Sequence, residues 1–207
     1  MKPKESYNAL LAKKVIDELM KRNIDGVYCE TKEDALKTAL EMIPKDSMIS
    51  CGGSATLHEI GLQAAFKKEG YNFLDPNDVQ GAEAKEEMAH QALNADYYIM
   101  SSNAIAATGE LVNMDGYGNR VASLIFGPKH VIIIAGINKV EPNLEAAILR
   151  VKNYVSSMIM LRLKQDYSSF DELSAAAEGA GSQLVITGKS ARKGRMKVIL
   201  VGEALGF

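Results

Sequence analysis

Two short, almost wholly apolar runs, Tyr97–Ser101 and Val131–Ala135, constrain this chain most. Strands that read apolar at every position belong to a sheet covered on both faces, which is the pattern of parallel α/β architecture. The segments around them alternate in period. Ala12, Val15, Ile16, Leu19 and Met20 share one helical face, predicting a leading helix over about residues 6–22 within a leading segment 1–24. Val27–Glu30 and Ser47–Cys51 read as strands. Between them Thr31 and Asp34 form a helix start signal, followed by the stripe Leu36, Ala39, Leu40 and Ile43 and stopped by Pro44. A third helix is expected to be capped by Thr56 with Glu59, burying Leu57, Ile60, Gly61 and Ala64. Tyr71–Leu74 follows as a strand, and Met88, Ala89, Ala92 and Leu93 mark the next helix. Leu144, Ala147, Ile148, Val151 and Val155 stripe a later one, with Pro142 in its first turn. Leu184–Thr187 and Lys197–Val201 are the last strands, after a variable segment over 158–195 in which Ser169 and Glu172 can cap a short helix. Strand–helix alternation implies right-handed crossovers, hence an open, mostly parallel twisted sheet with helices on both faces. At 207 residues the chain suits one such domain spanning 1–207.

Charge and composition exclude several roles. The formal net charge of −2 gives no bulk attraction to nucleic acid or to an anionic membrane. The apolar runs are too short to span a bilayer, and the N-terminal stretch has no signal-peptide core, so a cytoplasmic protein is expected. The basic run Lys189–Lys197 reads as a solvated connection. Cys29 and Cys51 have no disulfide or metal spacing and read as buried free thiols at strand ends. His58 and His90 read as helix-surface residues, and His130 precedes a strand. None has a partner at metal-ligand spacing, so no metal site is expected.

Ligands of open α/β sheets bind outside the carboxyl ends of the strands. Two segments there are unusual. In Cys51-Gly-Gly-Ser-Ala-Thr56, Gly52 and Gly53 let the backbone approach a ligand, and the amides of the following helix with the Ser54 and Thr56 hydroxyls suit a phosphate or carboxylate. A plain tight turn with a cap explains the same residues. In Ser101–Arg120, the groups Asn103, Glu110, Asn113, Asp115, Asn119 and Arg120 crowd between two buried strands. Glu110 or Asp115 is a candidate acid/base or nucleophile, and Arg120 a candidate carboxylate partner. Asp115-Gly116 and Tyr117-Gly118 also fit a plain hairpin, with Asn119 capping a helix through Ala122 and Leu124. Asn138 and Lys139, directly after the strongest strand, can reach an anionic ligand or be solvated.

The stretches Gly52–Leu62, Ser102–Ile105, Thr108–Arg120 and Gly127–Lys139, with the ending Lys197–Phe207, resemble the LUD-domain family linked to bacterial lactate utilisation. That resemblance covers about Ala9–Phe207. It implies the fold of ribose-5-phosphate isomerase, glucosamine-phosphate deaminase and the CoA transferases. It also implies that Gly53, Ser54 and Thr56 hold phosphate and that Glu110 and Asp115 lie in the region of the acidic catalytic groups. Residues Asn103–Gly118 are likewise similar to the nucleotide- or sugar-phosphate-binding segment of initiation factor 2B-like isomerases. The resemblance implies that many full-length relatives carry a cysteine-rich insert shortly before the last strand, whereas Asp166–Lys193 has no cysteine, so no iron–sulfur cluster or other intrinsic cofactor is expected here. The expected role is a subunit or accessory protein of lactate utilisation. Its expected partners are a small anionic metabolite, iron–sulfur subunits and, as an option, a second copy of the chain. A stand-alone isomerase- or transferase-type enzyme on a phosphorylated or CoA-linked substrate is one alternative, and a non-catalytic metabolite-binding module is another.

Overall fold

The structure is a computed structural model that describes residues 3–163 and 166–207. The leading segment 1–24 and the variable segment 158–195 therefore each include two residues outside that description. The first half of the chain runs α1 (Pro3–Lys21), β1 (Asp25–Cys29), α2 (Lys32–Glu41), β2 (Met48–Cys51), α3 (Ala55–Glu59), α4 (Leu62–Lys68), β3 (Asn72–Leu74), α5 (Ala82–Ala92) and β4 (Tyr97–Met100). Then follow β5 (Ala104–Ala106), β6 (Leu111–Asp115), α6 (Asn119–Ile125), β7 (His130–Gly136), a 3₁₀ turn (Ile137–Lys139), β8 (Val140–Glu141) and α7 (Leu144–Leu149). A π-helical segment (Arg150–Val155) joins α7 to α8 (Ser156–Leu163), and α9 (Phe170–Glu178), β9 (Gln183–Thr187) and β10 (Met196–Val201) complete the order.

The main sheet has six parallel strands in the order β1-β10-β7-β4-β2-β3. Side-chain alternation along a strand sends successive residues to opposite faces, and the two cores divide accordingly. Val131, Ile133 and Ala135 of β7 pack with Val198 and Leu200 of β10 against Ala12, Val15 and Leu19 of α1. Ile132 and Ile134 pack with Ile199 and Val201 against Ala35 and Ala39 of α2 and Leu57, Leu62 and Phe66 of α3 and α4. Helices thus cover both faces, and the continuous apolar strands are accounted for.

A second, four-stranded sheet in the order β8-β5-β6-β9 is the main departure from expectation. Its pairs β5–β6 and β6–β9 are antiparallel and β5–β8 is parallel. Residues 101–120 therefore do not form one long loop: β5 and β6 make a hairpin. The segment Gly116–Gly118 is not a hairpin turn either, because it links β6 to α6. The strand read at 184–187 adds to β6 and leaves the main sheet. Ala104, Ala106, Val112 and Met114 back this small sheet onto Ala147 and Val151.

Local signals fared unevenly. Thr31 caps α2, its side chain accepting from the Asp34 amide, and Ser169 caps α9 in the same way from Glu172. The cap of α3 is Ser54 and not Thr56, and the third helix breaks at Gly61 into α3 and α4. Asn143 caps α7, so Pro142 lies just before the cap and not in the first turn of the helix. Cys29 and Cys51 are buried free thiols, and burial pushes Cys51 up to about 12. His58 and His90 are exposed, while His130 opens β7 and stacks on Tyr97. No helix among the described residues is long and apolar enough to cross a membrane.

Candidate functional site

Because β7, β4 and β2 are neighbours in one parallel sheet, their carboxyl ends deliver three segments to one place: the 3₁₀ turn Ile137–Lys139, Ser101–Asn103, and the turn Gly52–Ser54. The end of β10, next to β7, adds Gly202–Gly206.

Arg120 ties the second sheet to the first. From the first turn of α6 its guanidinium donates to Asn113 Oδ1 and Asn103 Oδ1, both at 2.8 Å, to the Met114 carbonyl at 2.6 Å and to the Ser101 carbonyl at 3.4 Å. The two asparagines are themselves fixed. Asn103 Oδ1 also accepts from the Met114 amide at 2.9 Å, and fully buried Asn113 donates to Ser102 Oγ at 3.2 Å and accepts from the Asn103 amide at 3.3 Å. Burial draws the Arg120 guanidinium below its usual range, and the charge of Asp115 opposes that pull. All four acceptors are neutral. Above it, a Cβ at Gly52 would stand 3.0 Å from Tyr98 Oη and 3.1 Å from Arg120 Cδ, so the turn can pass this close only without a side chain.

Lys139 is the second buried cation site, with 4% exposure. The 3₁₀ turn after β7 points Nζ back under the sheet end, where it donates to Thr56 Oγ1 at 2.9 Å and Ser101 Oγ at 3.0 Å. Burial is the main cause that lowers its pKa to about 7, with the charges of Arg150 and Arg120 adding to it and Glu59 opposing. Near neutral pH it is therefore a mixture of ammonium and free amine. Arg150, with a side chain 7% exposed, stands at the start of the π-helical segment and donates to the Asn103 carbonyl at 2.8 Å. Asn103 is thus bracketed by two guanidiniums. Glu141 pairs with Arg150 at 3.5 Å.

The Glu203–Gly206 segment covers this cluster. Asn138 holds it at both ends of the Leu205–Gly206 dipeptide, accepting from the Leu205 amide at 3.0 Å and donating to the Gly206 carbonyl at 3.2 Å. Thr56 donates to the Leu205 carbonyl at 3.3 Å, and the Gly206 amide donates to Glu59 Oε2 at 2.8 Å. Gly206 has φ +58°, and a Cβ there would lie 2.6 Å from Thr56 Oγ1 and 3.2 Å from Lys139 Nζ. Both the backbone region and the contact demand glycine. A cavity of about 840 Å³ opens beside the segment, lined by Lys4, Asn8, Glu59, Asn138, Glu203 and Leu205 among others.

The structure therefore gathers Gly52, Thr56, Asn103, Asn113, Arg120, Asn138 and Lys139, and leaves other candidates apart. Glu110 stands at the turn end of the β5–β6 hairpin and ion-pairs with Arg22, which lies in the turn directly after α1 and also donates to the Thr108 and Gly188 carbonyls. Its carboxylate ties the small sheet to α1, far along β6 from Arg120. Asp115 accepts the Arg120 and Val121 amides at 2.9 and 3.2 Å, and so anchors the start of α6, the place expected of Asn119. Asn119 and Gly116 are exposed. Ser54 Oγ is engaged in its cap, whereas Gly53 is exposed with nothing within 4 Å of a Cβ, so this turn faces open space. Thr56, expected to offer a free hydroxyl and amide to an anion, is fully buried under Gly206. Ser101, Arg150, Glu59 and the Leu205–Gly206 peptide were not foreseen. No residue spacing marks them, because only the strand order brings them together. No group of three or more His, Cys, Asp or Glu among the described residues could hold a metal ion.

A family profile described as the LUD domain matches residues 12–201. A solved structure described as a DUF162 family protein from Deinococcus radiodurans superposes with a TM-score of 0.58 at 12% identity, covering 94% of this chain and 98% of that one, which is a likeness of fold. Among curated proteins none matches the sequence significantly.

Proposed function

Since the chain belongs to the LUD-domain family, we propose that it binds a small anionic metabolite at the carboxyl ends of β2, β4 and β7, and serves lactate utilisation in the cytoplasm beside iron–sulfur partner subunits. One observation carries this reading. Arg120 and Lys139 place two cation sites at one sheet edge on neutral hydrogen-bond partners, with Arg150 close by. Arg150 has Glu141 as its partner, but Arg120 and Lys139 have no ion-paired carboxylate among the described residues, and buried positive charge of that kind attracts an anion whose binding recovers the cost of desolvation. The open turn at Gly53 and the cavity beside Glu203–Gly206 supply space next to it.

The isomerase- or transferase-type alternative needs a reacting group at this place. Glu110 is engaged with Arg22 and Asp115 with the start of α6, so any chemistry falls to Lys139 in preference to either carboxylate. The test is a thermal-shift screen of hydroxy acids, oxo acids, phosphosugars, CoA esters and nucleotides. A ligand at a hundred times its Kd stabilises by about 2.7 kcal/mol, and Lys139→Met should abolish that shift for the ligand found. Stabilisation by neutral analogues alone, or by none of these classes, rejects the reading.

A further inference from the structure

We propose that Lys139 is an amine nucleophile that condenses with the carbonyl carbon of a small anionic oxo compound to form an imine. The inference rests on the reading that a small anion binds at this sheet edge, and adds what happens to it. Three features of the geometry point to it. Nζ is buried, yet it is held by two hydroxyls, Thr56 and Ser101, and no carboxylate of the described residues forms an ion pair with it. A lysine kept only as a structural cation would be expected to have a carboxylate, because burial of an unpaired ammonium is costly. Hydroxyls serve both protonation states: they accept from the ammonium and, by turning from the Leu205 and Ser102 carbonyls to which they now donate over 3.3 and 3.4 Å, can donate to the free amine. Arg150 and Arg120, which bracket Asn103, provide the positive field in which an anionic substrate group would settle. The groups whose charge acts on Nζ are Arg150, Arg120 and Glu59, and the first two favour the free amine.

The step balances without a co-reactant. Neutral Nζ adds to the carbonyl carbon, and a proton moves from nitrogen to the former carbonyl oxygen to give a carbinolamine. That oxygen then leaves as water with a second nitrogen proton, and a C=N bond to Lys139 remains. No electrons are gained or lost. Thr56 and Ser101 lie within reach of Nζ to relay those protons. The Glu203–Gly206 segment must lift for the compound to enter, and the adjoining cavity provides room for that movement.

The probe is glyoxylate, an anionic aldehyde, with glycolate as the matching anion that lacks a carbonyl. Intact protein is incubated with glyoxylate and cyanoborohydride, and reduced adducts are mapped by peptide mass spectrometry. At pH 7.5 an ordinary surface lysine has about a thousandth of its amine free, so Lys139 should be labelled at least about tenfold faster than any other lysine. Labelling should rise through a midpoint near pH 7. Asn138→Ala, which releases two hydrogen bonds from the covering segment, should speed it severalfold. Lys139→Arg should lose the adduct while surface labelling is unchanged. If glyoxylate and glycolate both raise the melting temperature but Lys139 is unlabelled in the wild type and in Asn138→Ala, the imine is overturned and anion binding stands. Labelling of Lys139 no faster than that of surface lysines overturns it equally. Absence of both stabilisation and adduct overturns the imine, and the anion site falls with it only where the wider ligand screen is silent too.

Discussion

Arg120 and Lys139 solve the same problem on either side of Ser101, one bonded to its carbonyl and the other to its hydroxyl, and they solve it differently. Each buries a basic side chain among neutral acceptors. Arg120 takes four, drawn from a loop and an adjacent strand. Lys139 takes two hydroxyls and then a covering peptide. The difference follows from the chemistry of the two groups. A guanidinium does not lose its proton in a protein, so its charge must be fully solvated by the fold. An ammonium can relieve the cost of burial by deprotonating, so a thinner set of partners suffices. The first arrangement fixes architecture, and the second leaves a group whose charge responds to its surroundings.

The sharpest way to break this contrast is to remove each cation. Arg120→Leu removes four hydrogen bonds, leaving the two asparagine oxygens with only their backbone-amide donors and the Ser101 and Met114 carbonyls without this partner, in a region where each unpaired group costs about 1–3 kcal/mol. We expect a loss of at least about 3 kcal/mol in urea unfolding, or no folded protein, and a near-silent result would show that Arg120 is not the knot. Lys139→Met should behave in the opposite way. With a folded pKa near 7, against the ordinary 10.5, the folded state holds fewer protons than the unfolded state between those values. Stability of the wild type therefore rises with pH across about 7 to 10.5, by up to about 1.4 kcal/mol per pH unit. The methionine variant should lack that rise and be the more stable of the two at pH 6. Parallel profiles for the two proteins would mean that Lys139 stays charged.

Two smaller substitutions sharpen the comparison. Gly206→Ala places a Cβ 2.6 Å from Thr56 Oγ1 at a positive φ. It should cost about 1–2 kcal/mol and loosen the covering peptide, read as faster hydrogen exchange at the Leu205 and Gly206 amides. Unchanged exchange would show that the cover does not depend on this contact. Glu110→Gln removes one partner of a partly buried ion pair with Arg22. Its expected cost is about 1 kcal/mol, with ligand response at the Lys139 end unaltered. Loss of ligand response without loss of stability would restore Glu110 to the site.

The strands of the main sheet were legible because Tyr97–Met100 and His130–Gly136 are apolar on both faces, a pattern with few alternatives. The caps at Thr31 and Ser169 were legible because their signal is local. The second sheet was not. Ala104–Ala106 is only three residues long and buried throughout, and Leu111–Asp115 is buried at four of its five positions, with polar Asn113 among them, so neither shows a clean period of two. Among site residues, Arg120 and Lys139 could be singled out as cations beside strand ends. Their partners could not, because Thr56, Ser101 and Gly206 meet Lys139 only through the order of β2, β4, β7 and β10. Glu110 misled for the same reason: its position in the chain is close to Arg120, but the hairpin carries it to α1.

The place of β10 between β1 and β7 also sets the order in which this chain can fold. Asp25 of β1 pairs with Lys197, and in the main sheet β1 has β10 as its neighbour. The strands β7, β4, β2 and β3 can assemble as soon as their own residues exist, whereas β1 must wait for a loop closure spanning most of the chain. Such long closures slow folding and leave strand edges exposed meanwhile. On a ribosome, β1 would emerge early and remain without its sheet partner until β10, the last strand in the order, is made. Stopped-flow refolding should accordingly show the β2–β4–β7 unit protected before the amides of β1, with the docking of β10 as the step that joins the two.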